Sequence, residues 1–199
     1  HDGRLQALVN GVDLEAFSPG TLDLDALPPP ERAWFDDGEQ APRFVFTGAM
    51  DYRANVDAVC WFTAEAWPAV RAALPAARFL VVGRGPAPAV RALHGRDGVV
   101  VTGAVRDVRP YLLSATACVA PLRVARGIQN KVLEAMACAR PVVASPAVRA
   151  CLGAATGNEV VTATDVPAFA RALLDLAADA GRRETLGRAA RAFVERHHR

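Results

Sequence analysis

The 199 residues carry 52% hydrophobic and 22% charged side chains, the balance of a globular chain able to bury a full core. Twenty-three basic against 21 acidic residues leave a net charge of +2, and the arginines are scattered rather than massed, so no nucleic-acid partner is expected. Apolar runs are broken by Arg, Pro or Gly well short of a bilayer's thickness, so no transmembrane helix is expected, and the opening residues do not read as a signal peptide.

Val9-Asn10-Gly11-Val12-Asp13 predicts a turn at Asn-Gly, and Pro19-Gly20 a second. Pro28-Pro29-Pro30 and the acidic Asp36-Asp37-Gly38-Glu39 read as exposed connector, which sets residues 1–42 apart from a domain over 43–199. From there strands and helices alternate. Phe44-Val45-Phe46-Thr47 predicts a strand ending at Gly48. After a polar loop, Asn55 is the expected N-cap of a helix through Val56, Val59, Cys60, Phe62 and Val70, with a break near Pro68. Residues 79–82 predict a second strand leading into Gly83-Arg84-Gly85-Pro86, and residues 99–102 a third ending at Gly103. A short helix over 108–114 and a fourth strand over 117–122 follow.

Next comes Ala125 to Ser145, a loop, an amphipathic helix and a fifth strand. Val132, Leu133, Met136 and Ala137 supply the helix's apolar face, and Pro141-Val142-Val143 a buried, β-branched strand. Gln129, Asn130 and Lys131 crowd the helix start, where free N–H groups and the positive dipole end favour an anion. Lys131 is the only lysine in the chain. Residues 159–161 are a candidate sixth strand, and helices over 166–178 and 182–197 close the chain. Strands each followed by a helix predict a parallel, doubly wound α/β sheet, and no period of 20–50 residues points to a solenoid. Ligands of such sheets bind beyond the carboxyl ends of the strands. The loops expected there, 48–55, 83–86, 103–107, 125–131 and 145–150, each carry an arginine, and the fourth adds Lys131. Together these suit a diphosphate held without a metal. The four cysteines, Cys60, Cys118, Cys138 and Cys151, form no C-x-x-C pair and have no histidines at ligand spacing. Cys118 and Cys138 read as core residues, which fits a reducing cytoplasm.

Ala125 to Ser145 resembles the donor-site signature of retaining glycosyltransferases of the GT-B fold, family four. That pattern runs Glu-Gly-Phe-Gly, three residues, Leu-Glu-Ala-Met-Ala, a small residue, Gly, one more residue, then Pro-Val-Val. Gly127, Leu133-Glu134-Ala135-Met136-Ala137 and Pro141-Val142-Val143 fall on it. The resemblance implies that Glu134 holds the nucleotide ribose, and that Gly127, Ile128, Gln129, Asn130 and Lys131 hold the diphosphate and sugar. Lys131 and Glu134 are then the residues closest to catalysis. Two positions depart from the pattern: Arg126 stands where the first Glu is expected, and Gln129 where the second Gly is. The sugar is therefore expected to be read differently, with Arg126 among its contacts. Arg53 follows the first strand, where the family places basic residues against the diphosphate, although the usual Gly-Arg pair reads Gly48-Ala49. Gly83, Gly85 and Gly103 take positions that border the base. Asn10-Gly11-Val12-Asp13 with Phe17 and Pro19 resembles the linker between the two GT-B domains. The implied chain is thus a Rossmann-like donor domain that begins at the hinge, with the N-terminal acceptor domain as a missing partner. Implied too are a nucleotide-diphosphate sugar as substrate, no cofactor and no metal, and a role in polysaccharide or glycolipid synthesis. The implied location is the cytoplasm, with the inner membrane face open to the full-length protein through the absent domain.

Each candidate has a plainer reading. Lys131 and Glu134, three apart on one helix, suit a surface ion pair, and Arg53 a solvated loop residue. Gly83-x-Gly85 lacks a third glycine and meets Pro86-Ala87-Pro88 where a helix should begin, so nicotinamide binding is rejected. Asp57 and Glu65 are expected on a solvent-facing helix surface, and His197 and His198 in solvent at an arginine-rich terminus. Asp23-Leu24-Asp25 falls in the connector, so metal-dependent transfer has no support. Two further functions share the architecture: a nucleotide-sugar epimerase, and a binding module that has lost transfer.

Overall fold

Apolar runs become six parallel strands in the computed structural model, which describes residues 10–20, 27–35, 41–153 and 158–198. Val9, Asp23-Leu24-Asp25 and Asp36-Asp37-Gly38-Glu39 lie outside the described residues. The strands are β1 (Arg43–Thr47), β2 (Arg78–Val82), β3 (Val99–Gly103), β4 (Ala117–Ala120), β5 (Val142–Ala144) and β6 (Val161–Thr162). Their order is β3-β2-β1-β4-β5-β6, with Phe44 opposite Phe79 on one side and Ala117 on the other. Every residue of β1 and β4 is buried, as strands covered on both faces must be. The sheet is Rossmann-like, and its order reverses between β1 and β4, where a crevice opens beyond the strand ends.

The first crossover is one long helix with a flaw. α2 (Arg53–Trp61) runs through a π turn (Phe62–Ala66) into α3 (Trp67–Ala73). Pro68 has no N–H to give, and the irregularity falls just ahead of it, with Trp67 N–H donating to Phe62 O. The turn aims Phe62 into an aromatic cluster, 4.8 Å from Phe79 and 6.0 Å from Phe169 between ring centroids. Trp67 packs edge-on to Phe44, and its buried Nε1–H donates to Asp97 O at 2.8 Å. Asn55 is not the N-cap. Tyr52 takes that place, and Asn55 sits buried inside the first turn.

Three short helices appear where loops were expected. α1 (Pro29–Arg32) lies in the connector, and its flanks Leu27 and Phe35 are buried rather than exposed. Tyr111 packs 5.4 Å from the Phe35 ring and donates its hydroxyl to Glu31 Oε2 at 2.6 Å. α4 (Pro88–Arg91) has Pro88 as its first residue, so the proline read as blocking a helix begins one. α5 (Arg109–Ser114) agrees with the sequence pattern, as does α6 (Asn130–Ala137). α7 (Pro146–Cys151) is capped by Ser145, whose Oγ accepts from Val148 N–H at 3.3 Å.

The last helices are α8 (Val166–Ala178) and α9 (Ala180–His197), each capped by an aspartate, Asp165 and Asp179. α8 packs on α3, and α9 on α6. Close approach of α9 requires Gly187, because a Cβ there would stand 2.1 Å from Ala139 O. Ala139 itself has φ +52°, at the end of α6 where helices usually place glycine. His198 is buried, not solvated: its carbonyl accepts from Val12 N–H at 2.8 Å, and its Nδ1 lies 3.1 Å from Asn10 O. Arg191 donates to Phe17 O, Ala137 O and Leu14 O while pairing with Glu195, so residues 10–17 run strapped along α9.

Candidate functional site

β1 and β4 part company at the switch point, and the loops that leave them enclose a cleft of about 610 Å³. Its floor is Thr47, Gly48 and Asn55; its walls come from Gly83-Arg84, from 104–108 and from the start of α6. The floor is tight because two backbones touch. Gly83 has φ +149°, and a Cβ there would lie 1.7 Å from Gly48 O, so both loops depend on a missing side chain.

Lys131 reaches into this floor. Its Nζ donates to Asn55 Oδ1 at 2.5 Å and stands 4.3 Å from the centre of the Phe46 ring. Asn55 is fixed in turn by donating from Nδ2 to Ala49 O at 2.9 Å. Lys131 is therefore held by the first turn of α2 rather than by Glu134, and the two do not form a surface ion pair. Burial lowers the ammonium's pKa to about 8, with Glu134 pulling the other way. Burial likewise raises the Glu134 carboxyl, against the pull of Lys131. Two groups whose charges are costly to keep thus face one cleft.

α6 adds its N-terminus. Gln129 stands at the N-cap with extended backbone but donates its side chain back to Gly127 O at 3.2 Å, leaving the helix start without a side-chain cap. Asn130 Oδ1 instead accepts from Asn10 Nδ2 at 3.2 Å, which brings the strapped N-terminal segment to the rim.

Of the residues singled out in the sequence, Gly83, Ile128, Gln129, Asn130, Lys131 and Glu134 line the cleft together. Gly127 lies one residue outside its wall, in a left-handed turn with φ +73°. Gly85 packs against Asp51, and Gly103 accepts from Gly83 N–H at 3.2 Å, so both shape flanking loops without reaching the wall. Arg53 and Arg126 are not brought to the cleft. They share a neighbouring depression with Tyr52, Arg123 and Asp57. Asp57 is not simply solvent-facing: Arg123 grips both its oxygens and holds its carboxyl below the usual carboxylate range. Arg84, from one of the arginine-bearing loops expected at the strand ends, does line the cleft, whereas sequence reasoning missed Tyr52 and Asn10 as wall residues, and Asn55 as the partner of Lys131. The signal for Asn55 was present: a polar residue amid Ala54, Val56, Ala58 and Val59 has a buried partner more often than not.

Among the described residues no group of three or more His, Cys, Asp or Glu is placed to hold a metal, and no helix is long and apolar enough to cross a membrane.

A family model described as glycosyl transferases group 1 matches residues 41–179. The chain belongs to that family. Solved structures agree on the fold. Sucrose-phosphate synthase from Thermosynechococcus elongatus superposes with a TM-score of 0.72 at 24% identity, covering 95% of this chain and 47% of that one. Anabaena HepE in complex with UDP-glucose gives 0.73 at 16% identity, over 94% of this chain and 52% of HepE. WaaG, a glycosyltransferase involved in lipopolysaccharide biosynthesis, gives 0.65 at 17%, over 90% and 51%. The chain thus spans about half the length of these structures. No curated protein sequence matches it.

Proposed function

We propose that this chain is the donor-binding half of a retaining glycosyltransferase that moves a sugar from a nucleoside-diphosphate sugar to an acceptor hydroxyl, in polysaccharide or glycolipid assembly. A separate acceptor domain completes the cleft from the other side. One observation carries the reading: the chain's single lysine is anchored at the cleft floor, beside an uncapped helix N-terminus and one helical turn from Glu134.

A cation and free N–H groups on one wall form a site for a dianion. A diphosphate there gives Lys131 a reason to stay charged, and its leaving charge in the transition state is met by donors already in place. Glu134, on the same helix face, is set to accept from the ribose hydroxyls, which fixes the nucleotide along α6. Gly127 to Asn130 border the space left for the sugar. HepE, of like fold, was crystallised with UDP-glucose, which supports a nucleotide-sugar as the ligand class.

The test is titration of the protein with UDP, GDP, dTDP and ADP, repeated on Lys131→Ala and Glu134→Ala. The expected result is selective binding of one nucleotide, weakened at least about tenfold in either variant. In the protein with its acceptor domain, Lys131→Ala is expected to cost about 10²–10³ in turnover. Unchanged affinity and turnover in both variants removes the assignment.

A further inference from the structure

The depression beside the donor cleft is built for a ligand of its own. Of about 730 Å³, it is lined by Tyr52, Arg53, Ala54, Asp57, Arg123, Val124 and Arg126. Tyr52 and Val124 are the exposed large hydrophobic residues of the described chain, at 56% and 64%, and both fall here. Arg123 is neutralised by Asp57. Among the described residues no ion pair joins Arg53 or Arg126 to a carboxylate; Arg53 acts on Asp57 only through its field, so three guanidinium groups share one carboxylate and the depression keeps a net positive charge beside an aromatic face. Tyr52 lines both the depression and the donor cleft, and Arg126 begins the loop that ends at Lys131. A ligand here abuts whatever occupies the cleft.

Resting on the donor-site reading, we infer that this depression is a subsite for an acidic sugar, with the pyranose ring against Tyr52 and its carboxylate held by Arg53 and Arg126. The chemistry fits each part. Sugar rings offer C–H faces that pack on tyrosine, and guanidinium forks bind carboxylates in pairs of hydrogen bonds. A neutral sugar would leave the depression's excess positive charge unmatched, since Asp57 is its one lining carboxylate. The acid is borne either by the donor's own sugar or by an acceptor residue placed next to it, and the two sources share this chemistry.

The experiment compares glucuronate with glucose in two arms. In the first, the glucose and glucuronate conjugates of the selected nucleoside diphosphate are titrated into the protein. In the second, free glucose and free glucuronate are titrated with that nucleoside diphosphate saturating. A preference for glucuronate of about tenfold, roughly 1.4 kcal/mol, is expected in one arm. It should shrink at high salt and vanish in the Arg53→Ala/Arg126→Ala double variant. Preference in the first arm places the acid on the donor; preference in the second places it on the acceptor. Equal affinity for glucose and glucuronate in both arms overturns the subsite and leaves the donor site standing. Failure of every nucleoside diphosphate to bind counts against the donor reading instead, and free glucuronate against glucose then judges the subsite alone.

Discussion

Lys131 meets two opposed demands, and its behaviour with pH separates them. Burial brings its pKa down to about 8, so the folded apo protein keeps a cation there at a cost that an anionic ligand removes. Diphosphate affinity is expected to be level below pH 8 and to fall about tenfold per unit above it, a slope read directly by titration at several pH values. Stability runs the other way. Between about 8 and the ordinary 10.5 the unfolded chain still binds a proton that the folded chain has released, so this group makes stability rise with pH across that window. Lys131→Met should keep the fold, raise or hold the Tm, and abolish that rise while weakening nucleotide binding at least about tenfold. Urea unfolding of both proteins at pH 8 and pH 10 checks it. Gly83 gives a contrasting case: Gly83→Ala forces a Cβ into Gly48 O and is expected to cost about 2 kcal/mol or more, seen as a lower urea midpoint. The gathering of a glycine, a polar cluster and one lysine at a helix start over residues 125–131 was legible from the sequence. The anchoring of Lys131 by Asn55 was not, since it joins residues 76 positions apart.

Elements were legible where a period was long and unbroken. Strands β1 to β5 and the helices α6, α8 and α9 follow from apolar spacing alone, β6 shares only Val161 with the expected 159–161, and the π turn falls at the proline that predicted a break. The short helices α1, α4 and α7 were read as loops because four to six residues carry little period. All three carry a start signal instead: Pro28-Pro29, Ala87-Pro88 and Ser145-Pro146 each place proline at the first helical position. The turn after α6 makes a prediction at this scale. Ala139 holds a left-handed conformation that disfavours a Cβ, so Ala139→Gly should stabilise the protein by about 1 kcal/mol, read from the urea midpoint. Gly187→Ala, which drives a Cβ against the same turn from α9, should destabilise it by a larger amount. Both changes lie away from the cleft and should leave nucleotide affinity within about twofold.

At the scale of the whole molecule, the sheet's reversal between β1 and β4 sets where ligands go, and the carboxyl end of the chain sets how the amino-terminal segment lies against them. Arg191 and His198 hold residues 10–17 along α9, and Asn10 then reaches Asn130 at the rim of the cleft. The sequence predicts a turn at Asn10-Gly11 but not the segment's route, which depends on contacts spanning up to 188 positions. Arg191→Leu leaves three carbonyls without their donor and should cost about 2–4 kcal/mol, with protease cutting near residues 14–17 as the local readout. The central claim is that a nucleoside diphosphate lies between the β1–α2 loop and the start of α6. A crystal structure with the selected nucleotide tests it most directly. The account predicts diphosphate oxygens within about 3.2 Å of Lys131 Nζ and ribose hydroxyls on Glu134. A nucleotide seated elsewhere, with Lys131 still bound only to Asn55 and Phe46, would contradict it.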